Sequence, residues 1–308
     1  MTTENLNSQE NLKIPRVSIG LPVCNGEKHL IETLNSILTQ TYTNFELIIS
    51  DNASEDQTQK ICMNFAEKDQ RIKYYRNDKN LGVAPNHNIV YKLAKGEYFR
   101  WAGDSDKIAP EFLQKCVDFL DRHLDVILCM PNTSVIGKAG EDLGGFDYMS
   151  GVNSPKAYNR FYNFLFKNCT GDYMYGLIRS DYIAKTSLNG DYPSSDLVFL
   201  AELSLYGKFD MIPEVLFFRR MNSRAPLPPG TIVNESYYRK VLSPRWCMFI
   251  GYSKAIWRCQ INKQEKLLCY FYLAIWFLRV SRLMLHFMSM ISKLLVKIGW
   301  RSIVSPKN

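Results

Sequence analysis

Asp104 and Asp106 are separated by a single residue and follow a segment, 96–103, whose pattern is a turn glycine and then an apolar strand. Two carboxylates at the end of a strand can both reach one divalent cation. Hard cations such as Mg²⁺ and Mn²⁺ take oxygen ligands, and they bind through few carboxylates together with substrate phosphates. The spacing therefore predicts a metal–diphosphate site. The alternative is a solvated turn, because Asp-x-Asp triplets are common in turns.

The residues that must position this pair alternate between strand and helix patterns. The periodicity predicts strands at 17–21, 45–49 and 72–75, and helices at 27–38, 56–66 and 86–93. Alternation of this kind implies right-handed βαβ units. The predicted fold is therefore α/β, with a mostly parallel sheet flanked by helices.

Polar segments stand where the predicted strands end, at 22–27, 51–56 and 104–106. Ligands of such sheets bind beyond the carboxyl ends of the strands, so we expect the three segments to converge on one edge. Neither Gly-x-Gly-x-x-Gly nor Gly-x-x-x-x-Gly-Lys-Ser/Thr occurs in the first half of the chain. The sequence thus argues against a dinucleotide fingerprint or a P-loop.

The eight cysteines of the 308-residue chain are scattered, without a Cys-x-x-Cys pair. This usage argues against a zinc site or a disulfide framework and is typical of a reducing cytosol. The first fifteen residues are polar and lack the apolar core of a signal peptide, so we expect a cytoplasmic protein.

Positive charge is concentrated at the C-terminal end of the chain. From Arg219 onward there are 16 Lys and Arg against 2 Asp and Glu, whereas the whole chain has 38 against 30. A basic tail of this kind suits an anionic surface, either phospholipid headgroups or nucleic acid. Long apolar runs in the tail disfavour nucleic acid.

The apolar run 267–278 is shorter than the roughly 20 residues that span a bilayer. Basic residues then recur at spacings of three, four or seven, which places them on one face of a helix. This pattern predicts an amphipathic helix that lies on a membrane surface. The alternative is a helical hairpin packed on the body of the protein or on a second subunit, which leaves a homodimer open. The basic positions are Arg279, Arg282, His286, Lys293 and Lys297.

Residues from about 16 to 220 resemble a family 2 glycosyltransferase of the GT-A fold. The segments that carry the resemblance, in the right order and spacing, are 17–27, 36–42, 45–54, 80–82 with Asn88, 96–98 and 104–106. The resemblance implies a flexible N-terminus at 1–14, a GT-A domain at 15–221 and a basic helical region at 222–308. It also implies an inverting transfer of a sugar from a nucleoside-diphosphate sugar to a glycan or lipid-linked acceptor, at the cytoplasmic face of the membrane.

The resemblance assigns roles to single residues. Asp51 would bond the nucleobase, Asp104 would lie near the ribose, and Asp106 would ligate the Mn²⁺ or Mg²⁺ that bridges the diphosphate. Glu27 has a second interpretation as an acid favoured by the dipole at a helix N-terminus. The other positions that would line the nucleotide-sugar pocket are Pro22, Asn25, Glu27 and Asn80.

Sugar transfer needs a base that accepts the proton of the acceptor hydroxyl. In the family this base is the Asp of a Glu-Asp pair at the start of a helix. Asp196 fits that position, although Ser195 replaces the Glu, and a helix-capping role is the alternative. Asp191 and Glu202 are the fallback candidates, and we expect Glu202 to face the protein.

The chain departs from the family pattern at two positions. Cys24 stands where the family often has Tyr, and Leu242 stands where processive members carry Gln before Arg-Trp. The second departure predicts a non-processive enzyme. Two competing interpretations are an inactive GT-A-like protein that binds membranes and a nucleotidyltransferase. The latter would need a basic Gly-rich loop after the first strand, and segment 24–27 lacks it.

Overall fold

The computed structural model describes residues 14–146, 152–167, 171–221 and 244–280. The strands are β1 Val17–Val23, β2 Phe45–Asp51, β3 Ile72–Arg76, β4 Tyr98–Trp101, β5 Lys107–Ile108, β6 Val126–Ile136, β7 Asp142–Phe146, β8 Leu177–Arg179 and β9 Lys208–Arg220. The helices are α1 Glu27–Leu38, α2 Thr58–Lys68, α3 Val83–Lys92, α4 Phe112–Arg122, α5 Ala157–Phe166, α6 Ser180–Ile183, α7 Ser195–Tyr206, α8 Pro244–Arg258 and α9 Lys263–Val280, with a 3-10 helix at Gly171–Tyr175.

The strands form one mixed sheet in the order β3-β2-β1-β4-β8-β6-β9-β5, and β7 pairs with β6. The first four strands are parallel, as the alternation of strands and helices predicts. Pairing becomes antiparallel where β8 joins β4 and β6. The predicted α/β fold with flanking helices is thus confirmed, and every antiparallel pairing among the described strands involves β5, β7 or β8.

Strand β1 continues past the position where the sequence pattern predicts its end. Pro22 lies inside β1 opposite Ser50, and β1 ends at Val23. Proline cannot donate a backbone hydrogen bond and is tolerated where a strand lacks a neighbour on its N–H side. Pairing of β1 with β4 stops at Gly20, and this leaves Pro22 with β2 as its partner among the described strands.

Helices α8 and α9 pack on the domain through α5 and α7. Tyr252 of α8 meets the ring of Phe161 edge-on at 5.8 Å and that of Trp276 at 5.3 Å. Arg258 forms an ion pair with the fully buried Glu202. Residues 244–280 therefore adopt the packed arrangement that the sequence leaves as one of two alternatives for the tail. The first part of the predicted basic helical region, residues 222–243, and the basic positions after Arg279 lie outside the described residues.

Candidate functional site

The loops after β1 and β2 are joined by reciprocal hydrogen bonds. Asn25 adopts a left-handed backbone with φ of 53°. Its N–H donates to Ser54 Oγ at 2.9 Å, and the N–H of Glu55 donates to Asn25 Oδ1 at 2.8 Å. Asn and Asp tolerate this backbone better than most residues, which explains an Asn at the turn. The bonds fix Asn25 at the carboxyl edge of the sheet.

Glu27 is the first residue of α1, and its carboxylate lies at the start of α2. Its N–H donates to Asp56 Oδ2 at 3.1 Å, while Glu27 Oε2 accepts the N–H of Gln57 at 2.9 Å. Each acid thus satisfies an N–H group at the start of the other residue's helix, where negative charge is favoured. The helix-terminus interpretation of Glu27 therefore has direct support, and its exposed side chain remains at the edge of the site.

Asp51 is fully buried at the end of β2 and is already a multiple acceptor. Its Oδ2 accepts from Tyr74 Oη at 2.7 Å and Arg76 Nη1 at 2.6 Å, and its Oδ1 accepts from the N–H of Ser54 at 2.8 Å. Burial raises the pKa of Asp51, but the bonds from Ser54, Tyr74 and Arg76 outweigh it and hold the pKa below its usual value. A nucleobase N–H that binds Asp51 would therefore meet an ionised carboxylate that already accepts hydrogen bonds from Ser54, Tyr74 and Arg76.

Asn52 connects the loop after β2 with the loop before α3. Its amide donates to Asn80 Oδ1 at 2.8 Å and to the carbonyl of Gly82 at 3.1 Å, and its Oδ1 accepts the N–H of Leu81 at 2.9 Å. The Asn80 amide in turn donates to Cys24 Sγ at 3.6 Å. The predicted positions at 24–27, 51–54 and 80 therefore belong to one hydrogen-bonded edge.

The Asp104–Asp106 turn lies between β4 and β5 at the same edge. Asp104 Oδ2 lies against Gly26, where an added Cβ would come within 3.3 Å of it. Asp106 Oδ1 accepts the N–H of Arg220 at 2.9 Å, and its carbonyl accepts from Thr33 Oγ1 at 2.9 Å. These bonds hold the turn between α1 and the end of β9.

The pKa of Asp106 is raised from 3.8 to about 6. Burial of the carboxyl group is the largest cause, and the negative charges of Asp104 and Asp172 add to it. The N–H of Arg220 and the charge of Arg219 oppose the shift without cancelling it. A raised carboxyl pKa marks a place where negative charge is costly, and a bound cation would relieve that cost.

Asp172 is a member of this group that the sequence did not reveal. It is buried in the 3-10 helix, and its Oδ2 accepts from Arg219 Nη1 at 2.8 Å. No sequence motif identifies Asp172, because its proximity to Asp106 depends on where β9 lies in the sheet. Arg219 is thereby directed at the carboxylates, while Arg220 is buried and bonds to Ser105 and Glu32.

The donor set fits a hard cation in part. Within the described ranges, no three His, Cys, Asp or Glu side chains are grouped closely enough to hold a metal ion. Asp104 and Asp106 nevertheless offer oxygen ligands, and a cation of the Mg²⁺ type needs only one or two carboxylates when phosphates supply further ligands. The residues present therefore suit a cation that arrives with a diphosphate.

Asp196 lies in the first turn of α7 and is partly exposed. Its side chain forms no hydrogen bond or ion pair with the residues that the structure describes. Phe199, one turn later, meets the ring of Trp101 edge-on at 5.4 Å, and Trp101 is the last residue of β4. The start of α7 is thus held near the strand end that leads into the Asp104–Asp106 turn.

Asp191 and Glu202, the other two candidates for the base, differ in their exposure to solvent. Glu202 is buried, pairs with Arg258 and accepts from Ser187 Oγ at 2.9 Å, so it faces the protein as the sequence predicts. Asp191 is partly exposed in the loop before α7. That loop is tied to α3 by the amide of Asn88, which donates to the Asn189 carbonyl at 2.8 Å.

Comparisons with known proteins agree with this fold. Residues 18–144 match the family described as Glycosyl transferase family 2. An uncharacterised glycosyltransferase of Haemophilus influenzae is 37% identical over 114 residues, which cover 37% of this chain and 46% of that protein. A second one from the same organism is 27% identical over 219 residues, covering 68% of this chain and 66% of that protein. The chain thus spans less than two thirds of either relative.

Among solved structures, the crystal structure of S. aureus TarS 1–349 in complex with UDP-GlcNAc has a TM-score of 0.62. The match covers 84% of this chain and 71% of that one at 17% sequence identity. At this identity the likeness establishes a shared fold, and it agrees with the GT-A architecture that the sequence resemblance implies.

Proposed function

We propose that this chain, whose residues 18–144 match glycosyl transferase family 2, transfers a sugar from a nucleoside-diphosphate sugar to a glycan or lipid-linked acceptor. One observation carries the proposal: Asp104, Asp106 and Asp172 lie close to one another and to Arg219. This group lies at the carboxyl edge of the sheet, beside the loops that follow β1 and β2. Such an edge offers carboxylates for a cation and a guanidinium for phosphate oxygens.

The donor would bind across the carboxyl edge of β1, β2 and β4. Asp51 would accept the base N–H, Asn25, Glu27 and Asn80 would line the nucleoside pocket beside Pro22, and Asp104 would lie near the ribose. TarS shares the fold and is described in complex with UDP and with UDP-GlcNAc. We therefore take UDP-sugars as the first donor class to test.

Asp106 would hold the divalent cation, Mn²⁺ or Mg²⁺, together with the donor diphosphate. When bound, the cation would offset the charge that builds on the leaving nucleoside diphosphate. The chain's own contribution is to place Asp106 through the Arg220 N–H and to set Arg219 beside the same carboxylates. Arg219 can then bond to phosphate oxygens as they gain charge.

Asp196 would act as the base. Its carboxylate is free of other described bonds, so it can accept the proton of the acceptor hydroxyl. The hydroxyl oxygen then bonds to the anomeric carbon while the bond from that carbon to the diphosphate oxygen breaks. A single displacement of this kind inverts the anomeric centre. We propose that one sugar is transferred per encounter.

We also propose that the protein meets its acceptor at a membrane surface, which α8 and α9 bind. No helix in the described ranges is long and apolar enough to cross a bilayer. The outer faces of α8 and α9 expose apolar side chains, with Trp257 78% and Leu267 70% exposed, and Phe271 on the same face of α9 as Leu267. Lys254 and Lys263 are exposed on the same two helices. An apolar face with basic residues suits the interface of an anionic bilayer.

The membrane proposal is tested by sedimentation with vesicles of phosphatidylglycerol or phosphatidylcholine. We expect binding to phosphatidylglycerol that weakens in Phe271→Ser and in Trp257→Ser. Leu124→Ser is the matched control, because Leu124 is 77% exposed at the end of α4. Equal binding by all variants would contradict the assignment of this face.

The transfer proposal is tested by offering UDP-, GDP- and dTDP-sugars with Mn²⁺ or Mg²⁺ and following release of nucleoside diphosphate. We expect release from one donor class, lost in Asp106→Ala while the fold persists. Asp69→Ala is the control, since Asp69 pairs with Arg71 away from the edge. An Asp106→Ala variant with full activity would refute the site. Should no donor be turned over, titration of each donor separates an obligatory acceptor from a site that binds none.

A further inference from the structure

Gly251 of α8 is in close contact with the segment that precedes Asp196. A Cβ added at Gly251 would lie 2.5 Å from Tyr192 Oη, 2.8 Å from Val198 Cγ1 and 3.6 Å from Tyr192 Cζ. Separations below 3.0 Å are not tolerated between such atoms, so any side chain at position 251 must displace both neighbours or α8 itself. Tyr192 lies four residues before Asp196 and Val198 two residues after it.

Helix α8 cannot easily retreat from this contact. Its last residue, Arg258, is paired with Glu202, which is buried in the middle of α7. The ring of Tyr252, next to Gly251, is buried between Phe161 and Trp276. Because α8 is anchored at and beyond the contact, the displacement falls on Tyr192 and the start of α7.

The turn that carries Asp196 transmits such a displacement directly. The carbonyl of Tyr192 accepts the N–H of Ser195 at 3.3 Å, and Ser194 has a left-handed backbone with φ of 62°. A serine in this region is costly and persists only where its surroundings hold it. Val198 is β-branched and stiff on a helix, so it cannot rotate away from an added atom at little cost.

We propose that Gly251 is a positioning residue, which lets α8 hold Tyr192 and the first turn of α7 so that the Asp196 carboxylate is aimed at the acceptor. The proposal rests on the role of Asp196 as base. It makes the C-terminal helix pair a part of the catalytic unit, although the helices follow the residues that match the family. A misplacement of about 1 Å can lower a rate by roughly a hundredfold.

The test is Gly251→Ala in the full-length chain, with turnover followed as UDP release from a UDP-sugar and affinity followed as binding of UDP. We expect kcat to fall at least tenfold while the Kd for UDP stays within twofold, because UDP would bind at β1 and β2 rather than at α7. Alanine favours a helix over glycine by about 1 kcal/mol, so loss of helix propensity is not an explanation of a loss of kcat.

Tyr192→Phe supplies the rescue. The Tyr192 hydroxyl has no hydrogen-bond partner among the described residues, so Tyr192→Phe alone should leave kcat near that of the unchanged protein. Combined with Gly251→Ala, it removes the nearest obstructing atom and should restore kcat at least threefold. Ser253→Ala is the matched control on α8, since the Ser253 hydroxyl bonds to Phe249 within the helix.

Asp196→Asn is measured in parallel and separates this inference from the proposed function. If Asp196→Asn keeps full turnover, the base assignment fails. If Asp196→Asn is inactive and Gly251→Ala keeps full kcat, the positioning inference alone is overturned. It is also overturned if Gly251→Ala loses UDP affinity and kcat together, because that result indicates a general loss of structure. It is likewise overturned if Tyr192→Phe restores nothing, because the contact with the Tyr192 hydroxyl then does not act on Asp196.

Discussion

Replacement of Asp106 by Asn should stabilise the protein in the absence of divalent cations. The pKa of Asp106 is raised from 3.8 to about 6, chiefly by burial and then by the charges of Asp104 and Asp172. Asn keeps an Oδ1 that can accept the N–H of Arg220, as Asp106 does at 2.9 Å, and it carries no charge. The variant therefore removes an electrostatic penalty without opening a cavity.

The size and sign of the effect follow from proton linkage. Between pH 3.8 and about 6 the folded protein binds more protons at Asp106 than the unfolded chain does, so its stability falls as the pH rises through this window. At about 1.4 kcal/mol for each pKa unit, the penalty at pH 7 is about 3 kcal/mol as an upper bound. The advantage of Asp106→Asn should thus be near zero below pH 3.8 and largest above pH 6.

The assay is urea unfolding of both proteins between pH 3.5 and pH 8, in EDTA and again with Mn²⁺. In EDTA the difference in unfolding free energy should grow with pH across the window. Mn²⁺ should stabilise the Asp106 protein and leave the Asn variant unchanged. Asp69→Asn is a control of opposite sign, because the bond from Arg71 lowers the pKa of Asp69 and this variant should be less stable at pH 7. A difference in unfolding free energy between Asp106→Asn and the unchanged protein that does not vary with pH would refute the reasoning.

Three further predictions concern the surroundings of the site. Arg258→Ala leaves Glu202 buried without its ion pair and should lower the unfolding free energy by roughly 2–4 kcal/mol, whereas Lys115→Ala, which removes an exposed pair, should cost less than about 1 kcal/mol in the same urea titration. Asn52→Ala removes the bonds that join the loops after β2 and β3 and should weaken UDP binding at least fivefold in calorimetry; unchanged affinity would contradict the proposed edge. Cys24 is exposed whereas the other described cysteines are buried, so a maleimide should label Cys24 first in the intact protein, and UDP should slow that labelling.

Several features follow from the order of residues alone. The alternation of strand and helix patterns predicts four parallel strands, because consecutive βαβ units repeat one handedness. Parallel strands present their carboxyl ends at the same edge, so segments 22–27, 51–56 and 104–106 could be assigned to one edge before their contacts were known. The placement of Asp104 and Asp106 in one turn was likewise predictable, since local spacing suffices to bring two carboxylates together.

The tertiary structure decided what depends on distant parts of the chain. Arg220 reaches Asp106 across 114 positions, and Arg219 reaches Asp172 across 47, only because β9 lies in the sheet between β6 and β5. The pKa of Asp106 depends on burial by these neighbours, which no local pattern encodes.

The packing of α8 against Tyr192 likewise depends on residues that are far apart in the sequence. A hydrophobic helix pattern states that a face will be buried but does not state against which partner, because many apolar surfaces satisfy the same requirement. The ion pair between the buried Glu202 of α7 and Arg258 of α8 favours the packing of these two helices against each other. The two residues are 56 positions apart in the sequence. The sequence thus determined which polar residues follow the parallel strands, and the tertiary structure determined which distant residues contact them.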